Sequence, residues 1–484
     1  MKKKDWLRLL VALIPILVLV ALLAVDIHIF GSNSILGASQ VALLVSAGVC
    51  VWLAMWLFKV PWGEFERAIK SNVGDVTTAI VILFLIGAIS GTWTMSGVVP
   101  AFIYYGVQVI SPKVFLLTAC VLSALVSVMT GSSWTTIATI GVALLGIGRA
   151  EGFGDGLIAG AIISGAYFGD KISPLSDTTV MSSSLNRVPL FEHIKYLMLT
   201  TGPAMIITLV IFTVIGIFHK GIEAGAMEAY TQALSGTFHI TPWLFVVPLI
   251  TGILIWRKMP ALMVLSLSVC TAAIAALVFQ PDIISGIGEG VTAGGRAKLL
   301  FTGTIETIYN SVSLETGSEA VNQLLATRGM LGMLNTVYLI ICAMCFGACM
   351  RAAGMIDAIS RMLNPLAHSR GALVTSTVVT GTALNGIVSD QYLSIILTSQ
   401  IFRDTYHREG YEQRLLSRSV EDSSTVTSPL FPWSSCGMTQ ATILSVSTLT
   451  YAPYCFFNIL SPLMSILTAW IGFKIVRRLP ADPS

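Results

Sequence analysis

Apolar runs of about 20 residues recur from one end of this chain to the other, and that length crosses about 30 Å of hydrocarbon at a rise of 1.5 Å per residue. They fall at 6–25, 36–58, 76–96, 196–218, 242–256, 259–279, 331–350 and 455–474, with two longer stretches, polar at their centres, at 156–185 and 413–450. A backbone in lipid must bond its own polar groups, so the spanning element is the helix. The composition agrees. Of 484 residues 55% are hydrophobic and 11% charged, and the mean hydropathy is +0.81, which excludes a soluble domain of this size. The expected fold is an all-α polytopic membrane protein.

The formal net charge of +3 is too small and too dispersed to suggest nucleic acid as a partner; the partner is the lipid bilayer, with a homodimer left open. The basic residues report topology instead. Lys2 to Lys4, then Lys59, Arg67 and Lys70, Arg187 and Lys195, Arg257 and Lys258, Arg351, Arg361 and Arg370, Arg403 to Arg418, and Lys474 to Arg478 all fall on one side. By the positive-inside rule that side is the cytoplasm. Both termini are therefore expected inside a multi-pass protein of the inner (plasma) membrane, with 6–25 as an uncleaved first helix.

The stretch 371–402 has basic loops at both ends, which implies a re-entrant hairpin entering from the cytoplasm. The stretch 113–148 has the same polar middle but few flanking cations, so it should dip from the outside. In an ungapped comparison Ser164 falls on Ser419, Ser173 on Ser428, Pro174 on Pro429 and Leu175 on Leu430, a constant offset of about 255 residue numbers. Together these predict inverted repeats, each with a hairpin and a broken transmembrane helix. The organisation reads as N-terminal helices at 1–75, a first repeat at 76–218 (hairpin 113–148, broken helix 156–185), connecting helices and an external connector at 219–330, and a second repeat at 331–484 (hairpin 371–402, broken helix 413–450).

The chemistry concentrates at the two breaks. The first carries Asp170, Lys171, Ser173, Pro174, Asp177 and Thr178; the second carries Glu421, Asp422, Thr425, Ser428, Pro429 and Pro432. Proline removes a backbone donor and disfavours helix at the residue before it, so unwound backbone is expected, with carbonyls, hydroxyls and carboxylates turned inward. That oxygen-rich set suits a hard cation such as Na+. Asp170 and Asp177, seven apart, are expected on one side of even a partial helix. The hairpin middles add Ser132, Ser133, Asp390 and their neighbours. A carboxylate able to hold either H+ or Na+, but not both, couples two gradients by competition. Na+ is expected at Asp170, Asp177 and Asp422, with Lys171 either pairing with Asp170 or snorkelling. The plainer alternatives are helix caps for Asp170 and Asp422, an exposed tip for Asp390, and ordinary hydroxyl packing for Ser132, Ser133 and Thr135. The histidines lie in or near loops, among them His193 and His219. No cofactor is called for, since Na+ and H+ are cargo.

The strings SGAYFGDKISPLSDTT at 164–179, GSSWTTIATIG at 131–141, SDQYLSIIL at 389–397 and EDSSTVTSPLFPW at 421–433 resemble the NhaC family of Na+/H+ antiporters. The likeness spans both halves. It implies an ion-transporter superfamily fold, Na+/H+ exchange as the usual activity, and Asp170, Asp177, Asp390 and Asp422 as motif acids. It also implies a rival, exchange of Na+-lactate for malate and H+, for which Lys171 is the one strongly basic group the sequence places near the site. A reading of another class, an intramembrane aspartyl protease, rests on the GxGD match ending at Asp155, beside Arg149 and Glu151.

Overall fold

The computed structural model describes residues 3–475 apart from 31–36, 76, 110, 175, 220–223, 258, 317–320, 323, 324, 357 and 359–368. Lys2, Leu175, Lys258, Arg361, Arg477 and Arg478 of the sequence reading lie outside the described residues. Those described form helices joined by short turns. In chain order the first half is α1 (Lys3–Phe30), α2 (Ala38–Phe58), α3 (Trp62–Asp75), α4 (Thr77–Met95), α5 (Val98–Val109), α6 (Pro112–Thr130), α7 (Ser133–Thr136), α8 (Val142–Ala150), α9 (Asp155–Ile172), α10 (Asp177–Leu185) and α11 (Leu190–Phe218). The connection is α12 (Ala224–Thr237), α13 (Val246–Trp256), α14 (Ala261–Phe279), α15 (Pro281–Glu289) and α16 (Arg296–Tyr309). There follow α17 (Leu334–Ala352), α18 (Arg370–Val388), α19 (Gln391–Arg408), α20 (Gln413–Val420), α21 (Ser435–Leu444), α22 (Thr448–Tyr451) and α23 (Phe456–Ile471).

Among the described residues seven helices are long and apolar enough to cross a bilayer, and up to ten if each bent pair counts as one span. Their outward faces are apolar, as at Ile206, Phe218, Leu463 and Trp470, which suits lipid contact. Their inward faces hold small and hydroxylated residues, which let helices approach closely. α3 is the polar exception, an amphipathic helix with exposed Glu64–Arg67 and Glu66–Lys70 pairs.

α11, 29 residues long, serves as a ruler through the molecule. Its C-terminal end meets the start of α6, where Gly216 lies against the Lys113 carbonyl, and the end of α8, where His219 Nε2 is 3.0 Å from the Glu151 carbonyl. Its N-terminal end meets the start of α20 through Glu192 and Arg414, 3.3 Å apart. Tyr196, near that same end, donates to the Lys474 carbonyl at 3.1 Å, just past α23, and the start of α18 is tied to the end of α23 by Arg370. The α6–α8 and α18–α19 hairpins thus open toward opposite ends of α11.

Both hairpin tips are made alike. Gly131 ends α6 at φ 66° and Ser389 ends α18 at φ 59°, each in the left-handed region that stops a helix. The next residue caps the returning arm: Ser132 Oγ accepts from Thr135 N at 3.2 Å, and Asp390 Oδ1 from Leu393 N at 2.8 Å. A π-helical turn at Ile137–Gly141 separates α7 from α8.

Candidate functional site

The site is built where α9 stops. Pro174 follows Ser173, whose extended backbone (φ −77°, ψ 130°) ends the helix, and Ser176 caps α10 by accepting from Thr179 N at 3.4 Å. The Lys171 carbonyl that the break leaves without a helical partner accepts from Thr179 Oγ1 at 3.0 Å. Ser173 Oγ donates to the Val128 carbonyl at 2.7 Å and so fastens the break to the arm α6.

Asp170, buried one turn before the break, faces the first hairpin tip. Its Oδ2 accepts from Ser133 N at 3.1 Å and Ser133 Oγ at 2.8 Å, which sets the carboxylate at the N-terminus of α7, where backbone donors favour negative charge. No ion pair reaches Asp170 among the described residues.

Lys171 turns the other way. Its ammonium is fully buried and forms an ion pair with Asp422 of the second break, while donating to Ser461 Oγ at 2.8 Å. Asp422 also accepts from Thr200 Oγ1 at 3.0 Å and Ser461 Oγ at 3.0 Å. This corrects the sequence reading of Lys171: it neither pairs with Asp170 nor snorkels, because consecutive residues on α9 point to different faces and its side chain is fully buried. Nor is it the one basic group nearby, for Arg418 is buried one turn before Asp422.

The second break is also more ordered than proline alone predicts. Glu421–Thr425 form a π-helical turn and Ser428–Leu430 a turn of 3-10 helix; only beyond it, through Phe431, does the chain extend before Ser434 caps α21. Glu421, in the π turn, is fully buried: Oε1 accepts from Thr178 Oγ1 at 3.2 Å and Oε2 has no partner. Thr425 is buried in the same turn. Ser428 Oγ lies 3.0 Å from Gln391 Oε1, at the second hairpin tip.

Two expected acids sit differently. Asp177 is exposed at the start of α10, beyond the break at Pro174, yet lies near enough to Asp170 for the two charges to interact. Asp390 is buried rather than exposed, serving as the cap of α19 with Ser435 Oγ 3.4 Å away. His193, expected near a loop, is buried in the first turn of α11 with Nδ1 2.9 Å from Ser417 Oγ. Asp155 is held by Arg149 at 2.8 and 2.9 Å, a charge pair rather than half of a carboxylate dyad. The sequence reading missed Thr200 and Ser461, which complete the shell of Asp422. The available signal was a hydroxyl beside a proline in an otherwise apolar helix, Thr200 before Pro203 and Ser461 before Pro462.

The crossing of the two breaks thus buries three carboxylates, Asp170, Glu421 and Asp422, against one ammonium, Lys171. The model of the Na+/H+ antiporter family matches residues 7–186 and 165–473. The chain belongs to that family. It is 35% identical over 435 residues to the malate-2H+/Na+-lactate antiporter of Bacillus subtilis (strain 168), covering 90% of this chain and 89% of that one. It is 34% identical over 417 residues to the Na+/H+ antiporter NhaC of Alkalihalophilus pseudofirmus, covering 86% and 87%. It is 31% identical over 475 residues to the arginine/ornithine antiporter ArcD of Halobacterium salinarum, covering 97% and 93%. The antiporter family assigns a transporter, not an enzyme, and a multi-pass membrane protein.

Proposed function

We propose that this antiporter exchanges Na+ for H+ by competition at the carboxylates of the crossed breaks, with Asp170 as the central ligand. The observation that carries this reading is the charge balance: Lys171 is ion-paired with Asp422, and among the described residues two further buried acids, Asp170 and Glu421, have no ion pair. A charged group in a medium of low dielectric is costly unless paired, so each of these acids favours holding a proton or a metal cation. One oxygen cannot hold both, and that exclusion couples the gradients. Ser133, Ser173, Thr178, Thr425 and Ser428 supply neutral oxygens around the crossing. No resident cofactor enters the scheme.

The Lys171–Asp422 pair joins the two breaks and keeps them in register while the site turns from one face to the other. The opposed hairpins, the matching left-handed tips and the similar caps at Ser132 and Asp390 support an inverted repeat and hence alternating access. The basic end of α11 supports cytoplasmic termini in a plasma membrane.

The test is Na+-driven pH change in everted membrane vesicles. Asp170→Asn is expected to abolish it at wild-type expression, and a wild-type rate would remove Asp170 from the site. A second reading, in which an organic acid travels with the ions, has the support of the malate/lactate relative; exchange that requires added malate or lactate would favour it.

A further inference from the structure

Tyr392, in the first turn of α19, stands two residues after the cap Asp390 at the second hairpin tip. Its neighbour Gln391 faces the second break, where Oε1 lies 3.0 Å from both Ser428 Oγ and Cys436 Sγ. Consecutive helical residues point to different faces, so Tyr392 is turned away from that break. It faces the first one instead. α10 and α19 run side by side: Asn186, just past the end of α10, donates to Ser399 Oγ at 3.1 Å. Asp177 opens α10 as Tyr392 opens α19, and the two meet at the start of the pair.

The Tyr392 hydroxyl consequently stands within reach of the charges of three carboxylates from three elements, Asp170 of α9, Asp177 of α10 and the cap Asp390. Among the described residues it has no hydrogen bond to any of them. This side of the crossing is also open. Tyr392 is 41% exposed, and Asp177 and Pro174 are exposed, whereas Lys171, Glu421 and Asp422 on the other side are fully buried. A cation nearing Asp170 from the open side therefore passes Tyr392. Acids of one sign around that approach concentrate cations, and a phenolic oxygen adds a neutral ligand of the kind hard cations take.

We propose that Tyr392 is an affinity-setting residue of the exchange, its hydroxyl oxygen serving as the second repeat's neutral ligand for Na+ at Asp170. This deepens the Na+/H+ reading and rests on it. Ser133 would hold the carboxylate from the first hairpin tip and Tyr392 the ion from the second, so that both tips close on one cation. Because the hydroxyl is neutral, it contributes to holding Na+ and not to the competition with the proton.

Tyr392→Phe keeps the ring and removes only the oxygen, which separates a ligand from a packing residue. In proteoliposomes at one pH, with ionic strength held by choline chloride, the Na+ concentration for half-maximal exchange should rise about fivefold while the maximal rate stays within about twofold. In detergent, the Na+ concentration that half-saturates the rise in unfolding midpoint should shift in the same sense, with the midpoint in choline alone unchanged. The detergent measurement decides the matter if exchange by the variant is too slow to follow. Unchanged Na+ dependence in Tyr392→Phe would overturn the proposal, as would a loss of maximal rate or of midpoint without any such shift. Asp170→Asn tells the two failures apart. Wild-type exchange in that variant defeats the Na+/H+ reading itself, whereas exchange lost there with Na+ dependence unchanged in Tyr392→Phe defeats only the role of Tyr392.

Discussion

Asp170 and Asp422 are equivalent by letter and by position beside a proline-split break, yet their surroundings give them different work. Asp170 accepts from Ser133 at the first hairpin tip, whereas Asp422 is held by Lys171, Thr200 and Ser461. Replacing Asp170 by Asn should therefore remove exchange at little cost in stability. Replacing Lys171 by Met leaves Asp422 buried and unpaired, which costs on the order of 3–5 kcal/mol. Adding Asp422→Asn to Lys171→Met should restore much of the lost thermal midpoint without restoring exchange; a double variant no more stable than Lys171→Met alone would show that the pair does not hold the breaks together. Glu151, in the turn after α8 and outside the membrane-spanning helices, offers a test by pH. Burial pushes its carboxyl up to about 7. Its folded value lies above its unfolded one, so the native state holds the extra proton, and stability is lost as pH rises between the two values and stays low above about 7. Glu151→Gln should raise the unfolding midpoint at pH 8 and leave it nearly unchanged at pH 4.

At the scale of elements, each hairpin reaches its broken helix through glycine. Gly165 and Gly169 bring α9 against the carbonyls of Cys120 and Ala124 on α6, and Gly381 of α18 lies against the hydroxyls of Ser423 and Ser424 in the π turn. A Cβ at Gly169 would stand 2.7 Å from the Ser127 Cβ and 2.8 Å from the Val128 nitrogen, both on α6. Gly169→Val should cost about 1–3 kcal/mol by forcing the helices apart, and it should remove transport, because Asp170 would leave Ser133. Measured unfolding midpoints and vesicle exchange check this; wild-type exchange in that variant would show that the close packing is dispensable. These contacts also mark what the chain spells out. The breaks are legible because proline and glycine act locally on the backbone, as Pro174 does at Ser173. The π turn at Glu421–Thr425 is not, since it arises from packing against α18 and α19, and the pairing of Lys171 with a residue 251 positions away depends on how the two breaks cross.

At the scale of the molecule, hydropathy marks the apolar helices, so the all-α membrane fold could be read from residue type alone. Which acids meet could not. Asp177 shares its motif with Asp170 but stands exposed beyond the break, while Thr200 and Ser461 reach Asp422 from helices with no acidic residue near their centres. The account rests on a proton and a sodium ion contending for the oxygens of Asp170. The most direct test is the apparent Na+ affinity of purified protein in proteoliposomes, measured as a function of pH from the initial rate of exchange. Competition predicts that the Na+ concentration for half-maximal rate rises roughly tenfold for each unit the pH falls below the carboxyl's own value, and that Asp170→Asn abolishes exchange. A half-maximal concentration independent of pH, or undiminished exchange by Asp170→Asn, would contradict it.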